Sequence, residues 1–111
     1  MGKNVLDLVE VLTKVDDKKV MKNFLIDVTT PSELATLQER LNVAMLLEEG
    51  NSYKEISQKT GSSTTTITRV ARFLKSEKFG GYRWVIKNLL KEEEKLLKEE
   101  EKQKKVVNKK K

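Results

Sequence analysis

The stretch from Ser52 to Lys75, SYKEISQKTGSSTTTITRVARFLK, constrains the chain more than any other, because its signals specify two short helices around a tight turn. Ser52 with Glu55 three residues on forms a capping box, in which hydroxyl and carboxylate each satisfy an amide that the helix start leaves bare. The helix it opens is expected to stop near Thr60, since Gly61 can enter the left-handed region at almost no steric cost, and Ser62 and Ser63 then offer a new N-cap. In the second helix Ile67 and Val70 lie three apart and can face Ile56 across the turn. The other side chains of this helix, Thr64, Thr65, Thr66, Thr68, Arg69 and Arg72, are short hydroxyls and guanidiniums, groups able to approach phosphates and base edges closely. Threonine is a mediocre helix former, so a run of four between Thr64 and Thr68 asks for a reason beyond helix stability. A merely solvated face is the plain alternative; the pattern favours a helix-turn-helix whose second helix reads DNA.

Composition narrows the function by exclusion. The 111 residues contain no cysteine and no histidine, which removes disulfide scaffolds, thiol chemistry, zinc fingers and histidine bases together. Acids come as solvated runs rather than isolated within apolar stretches, and there is no glycine-rich phosphate loop, so no enzyme, metal site or cofactor is expected. No apolar run is long enough for a bilayer, and Asp7 and Glu10 interrupt the first apolar positions, which argues against a signal peptide and for a cytoplasmic location. The formal charge of +6 is unevenly placed. Residues 1–51 carry −3, residues 52–83 carry +5 and residues 84–111 carry +4, so the basic excess begins where the helix-turn-helix begins. A polyanion is the partner such a field attracts, with an affinity that falls steeply with salt.

Along the rest of the chain, Val5, Leu8, Val9 and Leu12 stripe one side of a helix predicted from about Asn4 to Lys14, and Asp16 and Asp17 mark a break and N-cap region. Val20, Met21, Phe24, Leu25 and Val28 repeat the spacing on a second helix. The stripes of residues 1–28 are expected to find cover on each other, on the third helix or on a second subunit, and a core shared in a dimer suits so modest an apolar content. Thr30, Pro31 and Glu33 make the clearest helix start in the chain, and Leu34, Leu37, Leu41, Ala44, Met45, Leu46 and Leu47 follow on one broad face until Gly50. Arg40 stands alone on that helix and reads, by itself, as a surface side chain. After a break at Phe79-Gly80-Gly81, Tyr82, Val85, Ile86, Leu89 and Leu90 form a last amphipathic helix, with Trp84 expected to pack beside them. Residues 29–90 form the core, with the helix-turn-helix at 52–75; residues 91–111 are a Lys- and Glu-rich tail whose helix continues past Leu97 with little core contact and whose Lys109–Lys111 end frays.

These residues resemble the tryptophan repressor superfamily, and within it the YerC/YecD group of tryptophan-repressor-related proteins. The likeness runs over about sixty residues from Thr30-Pro31 to Leu90, through the Gly50 stop, the capped Ser52 helix, Gly61 and above all Thr66-Ile67-Thr68-Arg69. It implies an all-α, intertwined homodimer of the helix-turn-helix type, with residues 1–28 as its dimerisation helices, that binds double-stranded DNA at a pseudo-palindromic operator, as a repressor. Lys54, Lys59, Ser62, Ser63, Thr64, Thr65, Thr66, Thr68, Arg69, Arg72 and Lys75 are the expected DNA contacts, the hydroxyls toward bases and the cations toward phosphates or the effector pocket. The resemblance also places Arg40 and Arg69 where the family clasps its tryptophan corepressor. Val70 and Phe73 stand where the family keeps a glycine and a serine, so the two bulky side chains are expected to fill the indole slot and prevent tryptophan binding. The competing function is a helical dimerisation or adaptor protein that turns its basic face to an acidic protein or RNA.

Overall fold

The computed structural model of the chain describes residues 6–76, 78–90, 96–97 and 99–102. It is all-α, with no strand among the described residues. The helices are α1 (Leu8–Lys14), α2 (Lys18–Val28), α3 (Pro31–Glu48), α4 (Tyr53–Thr60), α5 (Thr64–Lys75) and α6 (Gly81–Val85), followed by a π-helical turn, Ile86–Leu90. Contacts divide the chain into two compact units, Met1–Gln38 and Glu39–Lys111.

In the first unit every helix start is built by a side chain. Asp7 accepts from the Glu10 amide at 2.8 Å and Asp17 from the Val20 amide at 2.9 Å. The helix predicted from Asn4 therefore starts at Leu8, with Asp7 outside it as the cap; Val5 lies outside the described residues. At α3 the Thr30 amide donates to Glu33 Oε1 at 2.8 Å while the Glu33 amide donates to Thr30 Oγ1 at 3.1 Å, the box the sequence announced. Good caps do not make a core, however. No residue of α1 or α2 is buried: Leu8, Val9, Val20, Ile26 and Val28 are exposed, and Leu12, Met21, Phe24 and Leu25 are half-buried.

The second unit holds the core. Val43, Ala44, Ile56, Ile67, Val70, Leu74 and Ile86 are buried against one another, with Met45, Leu46, Leu47, Tyr82 and Leu90 partly buried around them. Each fully buried Ile or Val contributes on the order of 1.5–3 kcal/mol of transfer free energy. The inward face of α3 is centred on Val43 and Ala44, whereas Leu37, expected on that face, is exposed. At its end the Gly50 amide donates to the Leu47 carbonyl and the Asn51 amide to the Leu46 carbonyl, a Schellman motif that needs the positive φ of 90° that Gly50 adopts. The last helix departs from expectation at two residues, Trp84 and Leu89, the latter 54% exposed. Tyr82, Val85, Ile86 and Leu90 are buried or half-buried, whereas Trp84 is 59% exposed and stays outside the core of the described residues. Of the tail, residues 96–97 and 99–102 are helical; Lys109–Lys111 lie outside the described residues.

Candidate nucleic-acid interface

The helix-turn-helix is assembled from the local signals the sequence carries. Ser52 and Glu55 close the capping box of α4, with Ser52 N to Glu55 Oε1 at 3.0 Å and Glu55 N to Ser52 Oγ at 3.1 Å. The Ser52 amide, and then its side chain, hold the Glu55 carboxyl below its ordinary pKa by stabilising the charged form. Gly61 ends α4 at φ 73°, a value other residues rarely tolerate, and donates its amide to the Ser57 carbonyl at 2.8 Å. Ser63 then caps α5, accepting from the Thr66 amide at 3.1 Å. Ile67, Val70, Ala71 and Leu74, spaced 3, 1 and 3, bury one side of α5.

That burial decides what is left outside. Ser63, Thr64, Thr65, Thr68, Arg69, Arg72 and Lys75 are exposed on or at the start of α5, and Lys54 and Lys59 are exposed on α4. The two helices of the second unit thus expose hydroxyls and cations to solvent. Lys59 Nζ donates to Asn51 Oδ1 at 2.9 Å, so its ammonium is tied to the α3–α4 turn. Thr66 is half-buried, and its Oγ1 accepts from Ser63 Oγ at 3.1 Å, which makes it part of the cap. Ser62 departs furthest from its expected place at the bases. It is only 2% exposed, the one buried polar side chain among the described residues, and its hydroxyl donates to Glu39 Oε1 at 2.6 Å. Ser63 takes the capping position and stays exposed, and Glu39 draws the neighbouring Ser62 inward.

The four residues Arg40, Arg69, Val70 and Phe73 do come together. They line a cavity of about 450 Å³ whose wall is completed by Leu41, Ser76, Phe79, Gly80, Gly81, Tyr82 and Val85. Arg40 is half-buried there rather than a free surface side chain. Val70 forms part of the cavity wall from within the core at 1% exposure, and Phe73 lines the cavity while staying 42% exposed. The Arg69 guanidinium lies 4.9 Å from the Phe73 ring centroid in a cation–π contact.

Sequence reasoning missed three residues that hold this surface in place. Thr60 Oγ1 sits 2.8 Å from both the Ile56 carbonyl and Ser62 Oγ. Glu39 reaches across 23 positions to Ser62. Arg83 Nε donates to the Leu74 carbonyl at 2.8 Å, tying the end of α5 to α6. Only Thr60, one residue before the glycine, lay within a local motif.

The family model for the Trp repressor protein matches residues 3–90, which include the capped turn, the exposed threonines and the cavity. The chain belongs to the Trp repressor family. As a member it carries the family's DNA-binding regulatory architecture. It is also similar to the uncharacterized protein YerC of Bacillus subtilis (strain 168), with 40% identity over 73 residues that cover 66% of this chain and 70% of that protein. No helix among the described residues is long and apolar enough to cross a membrane.

Proposed function

We propose that the protein is a sequence-specific transcriptional repressor that binds double-stranded DNA as a homodimer. Each subunit presents α5 to the major groove, and the two copies meet successive grooves of a pseudo-palindromic operator roughly 34 Å apart. The observation that carries this reading is the division of α5: Ile67, Val70, Ala71 and Leu74 are buried, while Thr64, Thr65, Thr68, Arg69, Arg72 and Lys75 are exposed, as are Lys54 and Lys59 on α4. Hydroxyls discriminate weakly one at a time, so water-mediated and shape-dependent readout carries much of the specificity. Support for the homodimer comes from α1 and α2, whose Leu8, Val9, Val20, Ile26 and Val28 are each at least half exposed among the described residues.

Tryptophan is not part of this reading. Arg69 is already engaged by Phe73, and Val70 stands at the cavity wall. Titration calorimetry with L-tryptophan is expected to give no binding heat; micromolar binding overturns this part of the proposal.

Selection of bound duplexes from random DNA at stated salt tests the main reading. A palindromic consensus is expected, and replacing Thr65 and Thr68 with alanine should weaken binding to it by about tenfold or more, since a base contact is worth ~1–3 kcal/mol. Binding that is sequence-blind and lost at moderate salt would instead favour the adaptor reading, in which the basic face serves an acidic protein or RNA.

A further inference from the structure

The only buried polar side chain among the described residues of this chain is Ser62, and it lies at the turn that aims α5. Its hydroxyl donates to Glu39 Oε1 at 2.6 Å, within the range of charge-assisted O–H···O⁻ bonds, and Glu39 belongs to α3. Because a carboxylate only accepts, the Ser62 proton is committed to Glu39, and the lone pairs of Ser62 Oγ remain to accept from Thr60 Oγ1 at 2.8 Å, whose one proton is shared with the Ile56 carbonyl at the same distance. The Ser62 amide donates to the same Thr60 oxygen at 3.1 Å. Both ends of the turn are thereby fastened: Thr60 is the last residue of α4, and Ser62 directly precedes Ser63, the cap of α5. At the other end of α5, Arg83 holds the Leu74 carbonyl. An apolar residue at position 62 would bury as well and leave nothing to fix the turn's direction. A hydrogen bond to a specific oxygen does fix it, and no buried side-chain polar atom among the described residues is left without a partner.

We propose that Glu39 is a positioning residue for DNA recognition: through Ser62 and Thr60 it sets the attitude of the N-terminal turn of α5, and hence of Ser63, Thr64 and Thr65, without touching DNA. The proposal rests on the reading of α5 as the DNA-reading helix. It separates affinity for the operator from affinity for any duplex, since loss of the latch alters where the hydroxyls point and leaves the basic field in place.

The test uses two variants of the full chain that remove the same charge. Glu39→Gln keeps an oxygen that accepts from Ser62; Glu39→Ala keeps none. Fluorescence anisotropy with the selected duplex and a scrambled duplex is expected to show the ratio of the two affinities falling about tenfold in Glu39→Ala and staying within about twofold of wild type in Glu39→Gln, with Ser62→Ala reproducing the alanine result and the double variant adding little. Amide exchange of Ser62 to Ile67 in the free protein follows the same order, fastest in Glu39→Ala, and reports on the latch even if wild type shows no sequence preference, the result that would sink the DNA reading alone. An unchanged ratio and unchanged exchange in both Glu39→Ala and Ser62→Ala, or a Glu39→Gln variant as impaired as Glu39→Ala, overturns the proposal.

Discussion

The two units use the same devices to begin their helices and differ in what they do with the apolar residues on them. Thr30 with Glu33 in the first and Ser52 with Glu55 in the second form the same reciprocal box, with distances of 2.8 and 3.1 Å in the one and 3.0 and 3.1 Å in the other. Yet α5 buries four residues in twelve, while α1 and α2 bury none. Capping decides where a helix starts, and a handful of caps contributes about 1 kcal/mol each; tertiary burial decides whether a short helix persists. The second unit therefore holds α5 with a core of its own. The first has its apolar stripes, and a groove of about 410 Å³ bordered by Ile26, Thr29, Pro31, Leu34, Ala35 and Gln38, facing outward.

The sharpest way to break this contrast is a truncation in each region. Ile67→Ala empties a site that is 1% exposed and is expected to cost about 2–5 kcal/mol, read as a lower urea midpoint of the helical signal. A loss below about 1 kcal/mol would mean the head is not held by its own core. In the first unit the expected effect is on association. Val9→Glu with Val20→Glu places charge on two exposed apolar positions, and sedimentation should show a dimer weakened about a hundredfold. A wild-type chain that sediments as a monomer at every concentration would remove the homodimer.

A third, smaller effect lies at the hinge of the head. Gly61→Ala has open space around the added carbon, so nothing clashes; the cost is conformational, at φ 73°. About 1 kcal/mol of stability should be lost, with the binding ratio for specific over scrambled DNA lower as well. Equal stability would mean that the turn relaxes to another shape.

How much of this was legible follows the range of the interactions. Ser52, Glu55, Gly61, Thr30, Pro31 and Gly50 act within five residues, and each did what its type and spacing announced. The division of α5 into an inner and an outer side was readable from Ile67 and Val70. Ser62 was not, because two adjacent serines can each cap a helix and only the partner 23 positions away decides which is drawn inward. Val43 was passed over since its neighbours Leu41, Met45, Leu46 and Leu47 are all apolar, and on so greasy a helix the spacing does not single out the buried centre. The contact of the Phe73 ring with Arg69 on its own helix was not legible either, since it is a choice between rotamers that spacing alone does not make.

The smallest expected effect compares the two boxes directly and depends on pH. Glu33 and Glu55 are both held below the ordinary glutamate pKa, first by the backbone amide of Thr30 or Ser52 and then by the side chain of the same residue. In the unfolded chain they titrate near ~4.3. A carboxylate whose folded pKa is depressed adds stability that is complete above the unfolded value and disappears as pH falls through the folded one. Urea midpoints of wild type and Glu55→Gln should thus differ slightly at neutral pH, with wild type the more stable, and converge as pH drops below about 4. Glu33→Gln should show the same convergence in helix content, and it should depend on protein concentration if the helices that Thr30 follows are covered by a second copy. A gap that persists at acid pH would assign the stabilisation to something other than the charge on the box, in whichever unit it is seen.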